Sequence, residues 1–248
     1  MKELDPLDAA GTRPDEGDHP RQSVWSATNV LIALNLIVFC LIESHIFGDP
    51  LAIKRGFGLI PRVLFGEAEL RIPHAPAALT LLTSMFLHSG LLHIFSNMAF
   101  LFIFGSAVEA AMDSFFFLLF YLSCGVAAAL VLAYAAPQSV TPYIGASGAI
   151  SGVCAAYLLL YARSALSGLS GGLLTSFHAQ AWLLVGGWIL LQFYDLIFVE
   201  QTHVAFVAHV GGIVAGLAWT PLFKRPEPVG ATASGKPPPG DDASGGEF

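Results

Sequence analysis

Charge is scarce in this sequence. Asp, Glu, Lys and Arg make up 12% of the 248 residues, against roughly a quarter in an average soluble domain, while 55% are hydrophobic. A chain so poor in charge is expected to sit in a lipid bilayer. Basic residues are the scarcer sign, 11 Lys and Arg against 18 Asp and Glu, which argues against a nucleic-acid partner, since that needs a basic face or stripe. Cysteine is nearly absent. Cys40, Cys124 and Cys154 each lie inside an apolar run with no CxxC spacing, so they read as small buried hydrophobes rather than as reactive thiols or metal ligands. His19, His45, His74, His178 and His203 have no second ligand at a metal-site spacing. No metal and no cofactor is implied. The first 23 residues lack the apolar core and small-residue cleavage site of a signal peptide.

What is present is a series of long runs without formal charge. Residues 1–23 and 224–248 are polar and rich in Asp, Pro and Gly, and are expected to be disordered tails around a membrane domain at 24–223. Val24 to Ile42 carries no charge and is long enough to cross the hydrocarbon core as helix one. Between Phe47 and Pro76, Lys54, Arg55, Arg62, Glu67, Glu69 and Arg71 alternate with Phe57, Leu59, Ile60, Val63, Leu64 and Phe65, the pattern of a long amphipathic loop at the interface. Residues 72 to 108 are uncharged but too long for one helix. Ser89-Gly90 is the expected break, giving helix two at about 90–108, with Glu109 and Asp113 marking a polar turn. Pro137, Gln138, Thr141 and Pro142 divide 114–162 into helix three and helix four, which begins near Ser147 and is closed by Arg163. Ser164 to Gly172 leads to helix five at 178–198, and helix six occupies 203–223 before Lys224 and Arg225. The expectation is an all-α membrane protein with six transmembrane helices and both tails on one side. Arg21, Arg163, Lys224 and Arg225 flank helices on the tail side, whereas Lys54, Arg55, Arg62 and Arg71 lie in the longer loop opposite. The helix-flanking charges favour cytoplasmic tails.

Three polar sites fall at one depth in this topology. His93 lies 16 residues before Glu109, Ser147 16 before Arg163, and His209 15 before Lys224. At 1.5 Å per residue each is about 22 to 24 Å from the inner face, or about 6 to 8 Å below the outer edge of a roughly 30 Å core. Asn97 lies one turn below His93 on the same face. Polar groups at membrane depth face the protein interior or a hydrated cavity. Gly148 and Gly152 on helix four and Gly212 and Gly216 on helix six form two small-xxx-small faces, which allow close backbone approach and would bring Ser147 toward His209.

These residue types suit acyl transfer. A serine hydroxyl becomes a nucleophile when a neutral imidazole takes its proton, the roles open to Ser147 and His209. The developing oxyanion needs preorganised donors, which the Ser147 amide at a helix N-terminus, Asn97 and His93 can supply. Asp195 and Glu200 lie nearer the surface, so a dyad fits better than a triad. Gly145-Ala146-Ser147-Gly148-Ala149 misses the G-x-S-x-G elbow and follows no strand, which excludes an α/β-hydrolase.

Four stretches now come together: His88-Ser89-Gly90-Leu91-Leu92-His93-Ile94-Phe95-Ser96-Asn97; Gly105 to Glu109; Gly145-Ala146-Ser147-Gly148; and Ala208-His209-Val210-Gly211-Gly212 with Gly216. In content and order they resemble the rhomboid family of intramembrane serine proteases over about Val24 to Phe223. The resemblance implies a six-helix rhomboid-like bundle, Ser147 as nucleophile, His209 as general base, and His93, Asn97 and the Ser147 amide as oxyanion stabilisers. It implies Gly145 as the small residue of the nucleophile motif and a structural His88 in the loop entering helix two. The substrates implied are transmembrane proteins cut in or beside their membrane segments. The expected location is a bacterial inner (plasma) membrane with both termini cytoplasmic. Two positions depart from the pattern. No Trp-Arg pair occurs between Phe47 and Pro76, and Ser151 stands four residues after the nucleophile, where relatives can place an aromatic on the catalytic histidine.

Other readings remain. Ser147 taken alone reads first as a helix N-cap. A non-catalytic relative would bind or escort membrane clients, and a small transporter would be expected to show repeated halves with matched broken helices, which this chain lacks. Helix five, with Trp182, Gly186, Gly187 and Trp188, is a candidate lateral gate, since paired glycines weaken a helix. The oligomeric state is not legible.

Overall fold

The computed structural model describes residues 26–162, 164–166, 177–198 and 203–225, with side chains described for these except 191–198 and 203–205. The two tails, Arg163 and Glu200 lie outside the described residues, as do the side chains of Asp195 and His203 and most of the connection before helix five. Helices are the regular elements of the described chain, joined by loops, with a single antiparallel bridge between Leu59 and Tyr143.

Helix α1 (Ala27–Glu43) starts where the Ser26 side chain accepts from the Asn29 amide. In the first loop, α2 (Pro50–Phe57) is capped by Asp49 and carries Pro50 in its first turn, and α3 (Pro61–Leu64) again opens on proline. Proline suits that position because its missing N–H has no helical acceptor there. Lys54 is mostly buried and pairs with Glu43 at 2.6 Å, tying the loop to the end of α1. One turn, α4 (Thr80–Thr83), lies between 3-10 turns at Ala77–Leu79 and Ser84–Phe86. The next stretch consists of α5 (Leu91–Phe100), a π turn at Leu101–Gly105 and α6 (Ser106–Met112). Then come α7 (Ser114–Ala135), α8 (Ser147–Leu160), α9 (Phe177–Phe198) and α10 (His203–Phe223). Leu91–Met112, Ser114–Ala135 and Phe206–Phe223 are long and apolar enough to cross a membrane. Four shorter apolar stretches accompany them, Ala27–Glu43, Ala77–Phe86, Ser147–Leu160 and Phe177–Leu190.

The helix boundaries follow the charge-free runs, with one correction. Glu109 does not mark a turn. It lies within α6, is 6% exposed, and its carboxylate accepts the Ala27 amide at 2.7 Å, the Thr28 amide at 2.9 Å and the Ser114 hydroxyl. It thereby satisfies orphan N–H groups at the start of α1 and complements that end of the helix dipole. Gly105, one turn earlier on the same face, leaves room for Thr28. The turn itself is Asp113, at φ 73°, and it pairs with Arg225, whose amide donates to the Ala111 carbonyl. The described chain therefore begins and ends at one end of the bundle.

At the centre is α8. Nine consecutive residues, Ala149 to Tyr157, are buried, the mark of a helix surrounded on every side. The run is rich in small residues, so neighbours can close in. A Cβ on Gly212 would collide with the Gly148 carbonyl, and one on Gly216 with the Gly152 backbone. These close approaches hold α10 against α8.

Candidate active site

Ser147 is the first residue of α8, following Ala146 at the cap. Its amide is thus among the N–H groups that a helix leaves without an internal acceptor. Gly145 enters at φ +130°, a conformation that L side chains rarely adopt, and its amide donates to the Ser84 carbonyl at 2.9 Å. This glycine is needed twice over, because a Cβ there would lie 2.9 Å from both Cε1 and Nε2 of His93. The turn brings Ser147 and His93 into one small space.

Across the α8–α10 contact, His209 Nε2 lies 2.9 Å from Ser147 Oγ. In the tautomer with Nε2 unprotonated, the serine hydroxyl donates to it. The ring of His209 also meets Trp188 of α9, with centroids 5.8 Å apart, and Phe206 of its own helix at 6.3 Å. Ser151, in place of an aromatic, is fully buried and donates its hydroxyl to the Ser147 carbonyl at 2.7 Å.

His93 and Asn97 complete the wall opposite. The Ser89 amide donates to His93 Nδ1 at 3.3 Å, and the Ser89 hydroxyl lies 3.0 Å from the same atom. A backbone N–H can only donate, so Nδ1 accepts and Nε2 carries the proton, turned toward Gly145. Asn97 is 6% exposed, and its Nδ2 is buried with no partner among the described residues. With Ser147, His209, Ser96, Phe100, Ile150 and Trp188, these two line an open cavity of about 220 Å³. A smaller cavity of about 80 Å³ lies beside Ser147, among Gly125, Ala128, Gly148 and Met85. His88 is buried beneath, edge-on to His93 at 5.0 Å, and burial, followed by the nearby His93, lowers its pKa to about 4.

All four chemistry-bearing residues selected from the sequence, Ser147, His209, His93 and Asn97, line one cavity. Two participants escaped the sequence reading. Ser89, the expected helix break and a member of the rhomboid-like stretch from His88 to Asn97, carries no chemical role there, although its place four residues before His93 is the available signal. Trp188 belongs to the candidate gate on helix five, and no sequence pattern connects it to His209. Among the described residues, no three His, Cys, Asp or Glu side chains are grouped to hold a metal ion.

The match to known proteins covers the same region. Residues 76–226 match the Rhomboid domain family model. The chain is 33% identical over 137 residues to the rhomboid protease GluP of Bacillus subtilis (strain 168), covering 55% of this chain and 25% of that protein. It is 39% identical over 85 residues to the chloroplastic rhomboid-like protein 11 of Arabidopsis thaliana, covering 34% of this chain and 30% of that one. The chain thus aligns with about a quarter to a third of the length of these relatives.

Proposed function

The chain belongs to the rhomboid family and is an integral membrane protein, and on that premise we propose that it is a serine endopeptidase that hydrolyses transmembrane proteins within or beside their membrane segments. The observation that carries this reading is the 2.9 Å contact between Ser147 Oγ and His209 Nε2 in a cavity lined by Asn97 and His93. Ser147 Oγ attacks the scissile carbonyl while His209 Nε2 accepts its proton, the arrangement of an activated nucleophile. The carbonyl oxygen becomes an oxyanion facing three donors, the Ser147 amide, Asn97 Nδ2 and His93 Nε2–H. The C–N bond then breaks as His209 returns the proton to the leaving amine. An acyl ester remains on Ser147, and water attacks it with His209 again as base.

The family relationship and the apolar helices support six membrane spans over about residues 24–223. The shared end of Ser26, Asp113 and Arg225, with Lys224 beside it, supports tails on one side, which we place in the cytoplasm of a bacterial inner membrane. Helix α8, at 14 residues, is about 21 Å long against a hydrocarbon core of roughly 30 Å. Its N-terminal serine therefore fits below the outer surface, where a substrate helix would present a locally unwound bond.

The test is cleavage of a single-span substrate by purified protein in detergent or vesicles. Ser147→Ala is expected to keep its helical circular dichroism and thermal transition while losing cleavage entirely. Cleavage that persists in this variant sinks the proposal. A wild-type protein that cuts nothing yet retains clients equally with and without Ser147 is instead a non-catalytic member of the family.

A further inference from the structure

We propose that Trp188 of α9 is a positioning residue of His209, so that aromatic support for the base comes from a separate helix rather than from the nucleophile's own. The inference rests on the reading of Ser147 and His209 as a reacting pair, and three observations carry it.

The first is that α8 has no room for an aromatic at position 151. Ser151 is fully buried, its hydroxyl is tied to the Ser147 carbonyl, and a Cβ built on Gly212 would lie 3.2 Å from the Ser151 Cβ. The backbone of α10 passes directly over this position. A ring there would force apart the close approach that brings His209 to Ser147.

The second is the placement of the indole. Trp188 meets the His209 ring at a centroid distance of 5.8 Å with planes at 44°, and it also meets the Phe100 ring of α5 at 5.9 Å and 48°. It lines the same cavity as Ser147 and His209. Of the described ring contacts of the imidazole, the one to Phe206 comes from three residues earlier on α10, so Phe206 moves with His209. The contact to Trp188 ties the imidazole to another helix.

The third is how α9 is itself held. Ten residues before Trp188, His178 Nδ1 lies 2.9 Å from the Tyr157 hydroxyl, and the Tyr161 ring stacks on His178 at 5.0 Å and 7°. Trp182 Nε1 donates to the Leu158 carbonyl at 3.3 Å. These contacts anchor α9 to α8, the helix that carries Ser147. The path from nucleophile to base thus closes through α8, the His178 anchor, α9 and Trp188. Misplacing a catalytic group by about 1 Å costs on the order of a hundredfold in rate, so the indole contact acts on chemistry even though it touches no reacting atom.

A positioning role differs measurably from a gate role. A small fluorophosphonate reacts with an activated serine by losing fluoride as Oγ bonds to phosphorus and the base takes the hydroxyl proton, and it needs no opening for a substrate helix. In the full-length protein, Trp188→Ala is expected to slow fluorophosphonate labelling of Ser147 and to lower kcat for a transmembrane substrate by about ten- to a hundredfold each, with KM within about twofold. Trp188→Phe is expected to restore both to within about threefold, because it returns a ring to the contact. Should Trp188→Ala fail to fold, Trp188→Leu against Trp188→Phe makes the same comparison at similar bulk. Labelling of the aliphatic variant at the wild-type rate overturns the proposal, whatever happens to cleavage. A wild-type protein that neither labels at Ser147 nor cleaves brings down the protease reading first, and this one with it.

Discussion

The two ends of the bundle use buried polar groups in opposite ways. Where α1 begins, the Glu109 carboxylate accepts two backbone amides and the Ser114 hydroxyl, so each of its oxygens is occupied from within the chain. Where α8 begins, Asn97 Nδ2 is buried with no partner among the described residues, and His93 spends its Nδ1 on Ser89 while its Nε2 turns toward Gly145 and Ser147. A satisfied group fastens one helix to another. An unsatisfied buried donor costs about 1–3 kcal/mol, and it persists where an incoming acceptor completes it. The same class of side chain is thus a fastener at one end and, on the proposed function, a tool at the other. Removing each should separate stability from rate.

The largest expected effect is on rate. On the proposed function, Asn97→Ala takes away a donor aimed at the position where the oxyanion forms, and loss of one such donor lowers kcat by about 10²- to 10³-fold. Because Nδ2 has no partner to lose in the folded chain, thermal unfolding should hardly change. Single-turnover cleavage and a melting curve on the same sample check both halves. An unchanged kcat, or a large fall in stability, would show that Asn97 is another fastener and would erase the contrast between the ends.

Glu109→Ala is the mirror experiment. It strips the start of α1 of its carboxylate and leaves the Ala27 and Thr28 amides and the Ser114 hydroxyl without their acceptor. A lost helix cap costs about 1 kcal/mol and an orphaned buried donor about 1–3, so a destabilisation of about 3 kcal/mol is expected. Glu109→Gln keeps one acceptor oxygen and should fall between. Fluorophosphonate labelling of whatever remains folded should proceed at the wild-type rate. Unfolding in denaturant gives the first quantity and labelling at low temperature the second. A Glu109→Ala protein that unfolds like wild type breaks the comparison at this end.

The helices were legible because membrane spans announce themselves as runs without charge. The shared level of His93, Ser147 and His209 was legible because helices convert residue counts into depth. Glu109 was misread for the same reason that the runs were readable. A charge ending an apolar stretch reads as surface, whereas the acceptor role of Glu109 depends on α1, some 81 residues away in sequence. The central position of α8 was also hidden, since lipid-facing and buried faces are both apolar and the helical period fades. Trp188 belongs to this group as well. Its contact with His209 arises from the packing of α9, which no local pattern specifies. Ser89 is different, because a hydroxyl four residues before a histidine is a local signal.

Ser89→Ala is the smallest change and the one that sharpens the contrast most finely. It removes the hydroxyl 3.0 Å from His93 Nδ1 and leaves the Ser89 amide, at 3.3 Å, still donating to the same nitrogen. The imidazole keeps the tautomer with Nε2 protonated but is held by one weaker contact instead of two. The expected loss is about three- to tenfold in kcat, the worth of about one ordinary hydrogen bond, with KM unchanged. Because Ser89 acts through His93, the two must fail to add. In a His93→Ala background the further change Ser89→Ala should cost nothing, and a coupling energy of about 1 kcal/mol in the double-mutant cycle is the signature. Additive losses would mean that Ser89 serves the site by shaping the turn into α5, which would move it from the tool end of the comparison to the fasteners.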